Sequence, residues 1–439
     1  MNSTTAPSNS LDLPAETTRL PATARNALRL LHRLPHGRLD LHLPDGAQLQ
    51  LPSAPGADPR ARRVRPIAQT TTPPPASDTA HASLRVHDWR MFDACLRSGD
   101  IGLAESYLDG GWDTPDLAGL LRLAIANRDH LDRLVYGSWW GRLWHRLVAL
   151  RNRNTRAGSK RNIHAHYDLG NDFYRLWLDP GMSYSSAWFE GRDPAGIELE
   201  AAQRAKFARA LREAGVAPGS RVLEIGCGWG GLAELAARDF GAHVTGVTLS
   251  REQLAWGRER LARASLAEHA ELRFEDYRDL PARHAAEPFD AVVSIEMFEA
   301  VGREYWRGYF GALAACLRPG GRACIQTITL RDDLFARYLR TPDFIQQYIF
   351  PGGQLPSVAA FEGEARRAGF SVENRLAFGR DYAETLRRWR ASFNAAADQV
   401  QARGFDARFQ RLWNFYLAYC EAAFDTGNTD VVQFTLRRD

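Results

Sequence analysis

Residues 222 to 231 read Val-Leu-Glu-Ile-Gly-Cys-Gly-Trp-Gly-Gly, an apolar strand pattern that runs directly into a glycine-rich turn. A strand, a tight turn and then a helix beginning near Leu232 leave few architectures besides an alternating α/β sheet with a ligand at the turn. Gly226, Gly228 and Gly230 remove Cβ atoms where backbone must bend and let a ligand approach, and Glu224 sets a carboxylate at the carboxyl end of the strand. The spacing Glu-x-Gly-x-Gly-x-Gly departs from the G-x-G-x-x-G turn that seats a pyrophosphate at a helix N-terminus. S-adenosylmethionine carries no phosphate, and its ammonium and sulfonium are cations. An acidic residue beside the turn therefore suits it better than it suits a nicotinamide dinucleotide. Taken alone, the stretch also fits a strand-to-helix turn of another α/β enzyme.

The flanking pattern supports the sheet. Helical periodicity over 201–214, 232–239 and 251–265 alternates with apolar strand patterns at 221–225, 243–247, 271–274, 291–295 and 322–329, and the chain closes with a strand pattern at 431–436. This predicts a doubly wound α/β sheet. Ligands in such sheets sit at the carboxyl ends of the strands, which groups Glu224, Thr248, Asp276 and Glu299 around one crevice, with Glu299 expected at the end of the fourth strand.

The remainder of the 439 residues has room for a further, smaller domain. Residues 1–25, rich in Ser, Thr, Pro and Ala, are expected to be disordered. Residues 26–137 read as an accessory α+β domain. There Leu39, Leu41 and Leu43 alternate ahead of Pro44-Asp45-Gly46, with Leu49 and Leu51 beyond, which predicts a hairpin at a sheet edge. The Pro/Thr-rich interval 55–80, with Arg60, Arg62, Arg63 and Arg65, reads as solvated loop. Residues 89–135 carry helical spacing through Met91, Phe92, Cys95 and Leu96, and again through Leu117, Leu120 and Leu121. Nothing in this part combines a nucleophile, a base and metal ligands.

Five scattered cysteines without CxxC spacing point to a reducing compartment, and no metal site is assigned. The first residues lack the basic and apolar regions of a secretory leader, and no apolar run is long enough to span a bilayer. A cytoplasmic protein is expected, with any membrane contact peripheral. Residues 138–161 are the candidate for that contact: Trp139, Trp140 and Trp144 lie among Arg142, Arg146, Arg151, Arg153, Arg156, Lys160 and Arg161, with no acidic residue. Tryptophan favours the headgroup region, and each basic residue near an anionic surface contributes about 1 kcal/mol. Nucleic acid or a solvated linker helix would suit this composition too. The amphipathic placing of Leu143, Leu147 and Leu150 favours the inner membrane face, and no nucleic-acid partner is assigned.

Residues 162–439 carry a set of separated motifs: His166-Tyr167-Asp168-Leu169-Gly170-Asn171-Asp172-Phe173-Tyr174, Tyr184-Ser185-Ser186-Ala187-Trp188, the glycine turn, Thr248-Leu249-Ser250-Arg251-Glu252-Gln253, Met297-Phe298-Glu299-Ala300-Val301-Gly302, Phe350-Pro351-Gly352-Gly353, Asp381-Tyr382-Ala383-Glu384-Thr385-Leu386 and Gln433-Phe434-Thr435-Leu436. Together they resemble the cyclopropane-fatty-acyl-phospholipid synthase family, which includes the mycolic acid cyclopropane synthases and fatty-acid methyltransferases. The resemblance implies a class I, Rossmann-like methyltransferase domain that takes S-adenosylmethionine. It implies cofactor contacts from Tyr184, Ser185, Gly226, Gly228, Gly230, Thr248, Gln253 and the Asp276-Tyr277 pair, beside Glu224. The implied substrate is a cis double bond in an unsaturated phospholipid acyl chain, and the implied product a cyclopropane. A homodimer is left open.

In the family a bound bicarbonate removes the proton, held by a glutamate, a tyrosine, a histidine and backbone near a cysteine. Glu299 and Tyr382 fall on the first two. The chain departs at the others, with Ser186 where Tyr-Ser-Cys-Ala is typical, Ala300 where Glu-His-Val-Gly is typical, Gln326 where His-Thr-Ile is typical, and Asp381 where a histidine precedes the tyrosine. Gln326 can donate a hydrogen bond to an anion but cannot take a proton. If the proton leaves an adjacent chain carbon instead of the transferred methyl, the product is a methylene or methyl-branched chain. Cys420 aligns with a cysteine that the family often marks as active, although a buried small residue on the helix before the last strand is the favoured reading of it. Readings also left open are methylation of a different acceptor, such as a small amine or a polyketide-like chain, and a non-catalytic lipid- or cofactor-binding protein.

Overall fold

The computed structural model describes residues 20–51, 80–135, 169–340 and 343–439. The expectations for residues 1–19, for the basic run at 60–65, for 139–161 and for His166, Tyr167 and Asp168 lie outside these residues. The chain divides into two compact units, Met1–Gly141 and Arg142–Asp439.

In the first unit the expected hairpin forms. β1 (Arg38–His42) pairs antiparallel with β2 (Gln48–Leu51), and Leu43 N–H donates to the Ala47 carbonyl to close the turn. Leu39, Leu41 and Leu43 all face inward. β2 is an edge, in the order β2-β1-β3-β4 with β3 (His81–Val86) and β4 (Trp112–Asp113). Residues 20–25, expected to be disordered from their composition, are instead ordered: a helix begins at Ala22, because Leu20, Ala24 and Leu28 recur every fourth residue and are buried.

The second unit is a seven-stranded sheet in the order β10-β11-β9-β8-β5-β6-β7. The strands are β5 (Arg221–Ile225), β6 (His243–Thr248), β7 (Ala270–Phe274), β8 (Phe289–Ile295), β9 (Leu317–Leu330), β10 (Phe370–Ala377) and β11 (Thr429–Arg438). From β9 to β7 neighbours run parallel, and β11 lies antiparallel between β9 and β10. Central strands are buried on both faces, so their residues alternate between two cores. Leu223, Val292 and Ile325 enter one with Phe298, Phe310 and Phe361. Val222, Val293 and Cys324 enter the other with Leu211, Leu232 and Leu261. β5 leads outward to β6 and β7 on one side, while β8 returns to its other side. The switch point of the sheet therefore lies between β5 and β8, and a crevice opens beyond their carboxyl ends.

Candidate active site

The turn after β5 carries the cavity at that switch point. Gly228, at φ 50°, has nothing within 4 Å of where a Cβ would stand, and it lines the cavity. Gly226 lines it too, pressed against Met297 of the loop after β8. Gly230 does a different job. A Cβ there would stand 3.2 Å from Gly257 Cα and 3.3 Å from Leu272 Cδ1, and Gly230 is not among the cavity-lining residues. Its conformation, φ 80°, starts the helix Gly231–Phe240 and lets it pack closely on the helix Arg251–Arg263. We expect Gly230→Ala to cost about 1–3 kcal/mol in stability, through left-handed strain and the close approach, while leaving cofactor affinity in the folded fraction unchanged. Denaturant melts beside calorimetry check this. A weakened affinity at full stability would make Gly230 a ligand contact.

Around the turn, Tyr184, Ser185, Glu224, Thr248, Gln253 and Tyr277 line the same cavity. Glu224 is buried and one of its oxygens has no hydrogen-bond partner among the described residues; burial holds its carboxyl well above the usual range, against the pull of Lys206. Asp276 turns away. Its carboxylate takes Arg278 Nε at 2.8 Å and Nη2 at 2.6 Å, and it caps the turn Tyr277–Asp279. The residue before it, Glu275, lines the cavity instead, with neither carboxylate oxygen hydrogen-bonded among the described residues and Arg283 Nε at 3.3 Å. An open cradle over Gly228 and an unsatisfied carboxylate oxygen at Glu224 fit a ligand that brings cations and hydrogen-bond donors, as S-adenosylmethionine does.

The opposite side of the cavity is built around a residue that the sequence reading missed. β8 ends at Ile295, and Glu296 follows at φ 50°, a left-handed conformation that costs a non-glycine residue about 1–2 kcal/mol. Its carboxylate collects three donors. Ser186 N–H donates to Oε1 at 2.9 Å, Gln326 Nε2 to Oε1 at 2.7 Å, and the Tyr382 hydroxyl to Oε2 at 2.7 Å. Each donor comes from a different element. The parallel register of β8 and β9 pairs Ile295 with Gln326. The helix Gly379–Ala395 supplies Tyr382 and also straps the Ser186 loop, since Thr385 Oγ1 accepts from Ala187 N–H at 3.1 Å and Asp381 Oδ2 from Phe189 N–H at 2.7 Å. Asp381 is thus an anchor for that loop, and burial pushes its carboxyl up to about 6.

The orientation of Gln326 is set from behind. Arg209 can only donate, and its Nη1 reaches Gln433 Oε1 at 2.5 Å; Gln433 Nε2 then donates to Gln326 Oε1 at 2.9 Å, which turns Gln326 Nε2 toward Glu296. Gln433 and Gln326 face each other across β11 and β9. Behind Ser185 the fully buried Lys206 donates from Nζ to the serine Oγ at 2.5 Å. Burial pulls its ammonium down to about 7, against Glu296, Asp179 and Glu224. Burial also raises Glu296, offset first by Lys206 and then by its donors, and holds the Tyr382 hydroxyl well above its ordinary value, so Tyr382 stays a donor.

Glu299 stands elsewhere. It lies on the turn Phe298–Ala300, beyond the end of the fourth strand, and is not among the cavity-lining residues. Its Oε1 accepts from Thr327 Oγ1 at 2.9 Å and from Ile328 N–H, and burial together with the Glu296 charge pushes it up to about 8. Where a place facing the crevice was expected, one turn of 3-10 helix carries the Glu299 carboxylate onto β9, close enough to Glu296 to feel its charge. Cys420, on the helix Ala407–Asp425, does not line the cavity, and burial raises its thiol far from the reactive range. Ser186 contributes its backbone N–H, while its hydroxyl is spent on the Ala187 carbonyl at 2.8 Å.

Comparison with known proteins agrees with this arrangement. The family model described as mycolic acid cyclopropane synthetase matches residues 154–434. A tuberculostearic acid methyltransferase of Mycobacterium tuberculosis is 42% identical over 353 residues, covering 78% of this chain and 80% of that protein. The cyclopropane-fatty-acyl-phospholipid synthase of Escherichia coli is 34% identical over 369 residues, covering 82% and 89%. Among solved structures, a mycolic acid cyclopropane synthase complexed with SAH and CTAB superposes with a TM-score of 0.58 at 33% identity, over 64% of this chain and 98% of that one. The glycine turn, the crevice at the switch point and these matches make the chain a member of the mycolic acid cyclopropane synthetase family of S-adenosylmethionine-dependent methyltransferases.

Proposed function

We propose that the protein transfers a methyl group from S-adenosylmethionine to a cis double bond in the acyl chain of an unsaturated phospholipid. The observation that carries this is the cavity itself, which joins a cofactor turn to a carboxylate held by Ser186, Gln326 and Tyr382. When bound, S-adenosylmethionine supplies an electrophilic methyl on sulfur that leaves behind a neutral thioether. Gly228 keeps a side chain out of its seat, Gly226 lets Met297 close against the turn, and Glu224 and Glu275 offer oxygens to its donors. On the substrate side the alkene is a weak nucleophile, so the developing cation on the chain needs electron-rich surroundings. Tyr184 lines the cavity with Tyr174, Trp177 and Trp389 rings 5.5 Å from its own, and Tyr382 packs on Phe424 at 4.5 Å.

Loss of a proton from the added methyl closes a cyclopropane, the product of the Escherichia coli relative by its name. Loss from a chain carbon next to the cation leaves an open, methyl-branched alkene, and a hydride shift to the cation followed by loss from the added methyl leaves a methylene chain. Two observations favour this second reading: the 42% identity to a tuberculostearic acid methyltransferase, and a proton-handling set in which Ser186 and Gln326 stand in place of cysteine and histidine. The Trp139–Arg161 composition supports presentation of the substrate at an anionic bilayer surface.

The test is incubation of the purified protein with anionic vesicles of dioleoyl lipid and S-adenosylmethionine. Lipid one CH2 heavier, with S-adenosylhomocysteine released in equal amount, is the expected result. Mild hydrogenation then separates the products, because an open chain retains an alkene that takes up hydrogen and a cyclopropane does not. Absence of both the heavier lipid and S-adenosylhomocysteine would remove this reading.

A further inference from the structure

We infer that Glu296 is the catalytic base of this enzyme, a carboxylate built into the chain where the family resemblance calls for bicarbonate. The inference rests on the proposed alkene alkylation, because it concerns the proton which that reaction must lose.

The donor set leaves no place for an exogenous anion. Ser186 N–H, Gln326 Nε2 and the Tyr382 hydroxyl, which the resemblance assigns to bicarbonate, all end on the two oxygens of Glu296. A second anion would meet a carboxylate in place of donors, and two like charges at such a site raise each other's cost. Glu296 is also the one member of this set able to take a proton. The Gln326 amide donates to Glu296 and accepts from Gln433, and the Tyr382 hydroxyl is already a donor.

The carboxylate has capacity to spare. Oε1 accepts two bonds while Oε2 accepts one from Tyr382, so Oε2 keeps a lone pair for a proton. Glu296 lines the cavity that the glycine turn also lines. Its left-handed backbone is a strain that persists only where the surroundings over-determine it, and here three elements hold the side chain.

The step balances. The alkene π pair forms the new bond to the methyl carbon, and the carbon–sulfur pair stays on sulfur. The electron deficit then sits on the neighbouring chain carbon. Glu296 Oε2 takes a proton either from the added methyl, whose C–H electron pair then closes the ring onto the cationic carbon, or from the chain carbon next to the cation, whose C–H electron pair then forms the new alkene. Reprotonation of solvent returns Glu296 to the carboxylate.

The experiment uses the full-length protein, dioleoyl phosphatidylglycerol vesicles, and buffer freed of carbon dioxide with or without added bicarbonate. The wild type is expected to turn over at the same rate in both buffers. Glu296→Gln should lose about 100-fold or more in turnover, the scale of a lost general base, with S-adenosylhomocysteine affinity by calorimetry unchanged. Glu296→Gly removes the carboxylate and relaxes the backbone, so added formate or bicarbonate should restore part of its rate. A wild type that requires bicarbonate, or a Glu296→Gln variant at the parent rate, would overturn the assignment while leaving alkene alkylation standing. A wild type that never alkylates the lipid would instead remove the proposed function.

Discussion

Gly228→Val is expected to weaken binding of S-adenosylmethionine and S-adenosylhomocysteine by at least about 100-fold, or about 2.7 kcal/mol. Two effects combine. At φ 50° an L-residue sits in the left-handed region, which a β-branched side chain tolerates worst. Beyond the strain, the added Cβ meets no protein atom within 4 Å and so projects its two methyls into the open cavity. Strain and occlusion can be separated. Asparagine accepts left-handed backbone more readily, so Gly228→Asn should melt close to the parent and still bind poorly if occlusion dominates. Calorimetry and thermal melts on both variants decide it, and parent-like affinity in Gly228→Val would show that the turn does not seat the cofactor.

The same residues explain what the sequence made legible. Strand patterns at 221–225, 243–247 and 291–295 are rich in Val, Leu and Ile because parallel strands are buried on both faces, and they lie within or match β5, β6 and β8. β10 left no comparable trace. It runs Phe-Ser-Val-Glu-Asn-Arg-Leu-Ala along an edge of the sheet, mostly exposed, with charged residues where a central strand would be apolar. The helix Arg251–Arg263 was readable from its cap, Ser250 accepting from Gln253 N–H. The site was readable to the level of its motifs and not to the level of its carboxylates. Asp276 matched the motif and pairs with Arg278, whereas Glu275 next to it faces the cavity.

Glu296 and Glu299 make the point more sharply. Both follow the fourth strand, three residues apart, and Glu299 sits in the motif that carries the resemblance. Which of them enters the crevice depends on the backbone after Ile295. A left-handed step at Glu296 breaks the alternation of the strand, and the 3-10 turn that follows carries Glu299 onto β9. Neither is a property of local composition, because a glutamate is not where left-handed backbone is expected. The signal available in the sequence was the pair of substitutions. Ser186 and Gln326 had lost the groups suited to a bound anion, and a new carboxylate nearby is what could compensate for them.

Lys206→Met is expected to move the acid limb of the pH–rate profile upward by about one pH unit or more. Lys206 is fully buried, and its ammonium is the foremost influence that holds Glu296 and Glu224 down against burial. Without it the base stays protonated to higher pH, so turnover at pH 7 should fall and recover as pH rises. Stability gives an independent reading of the same charge. The folded Lys206 releases its proton near 7, far below the 10.5 of an exposed lysine, so between those values the unfolded chain binds more protons and the wild type gains stability as pH rises. Methionine removes that gain. It also lets Glu296 and Glu224 climb further, and a carboxyl raised in the fold binds more protons than the unfolded chain, which makes stability fall with rising pH. Both changes have one sign. The melting temperature of Lys206→Met relative to the wild type should therefore decrease steadily from pH 5 to pH 9, and a difference that stays flat or rises would mean that burial does not bring the Lys206 proton down and that its charge does not hold these carboxylates down.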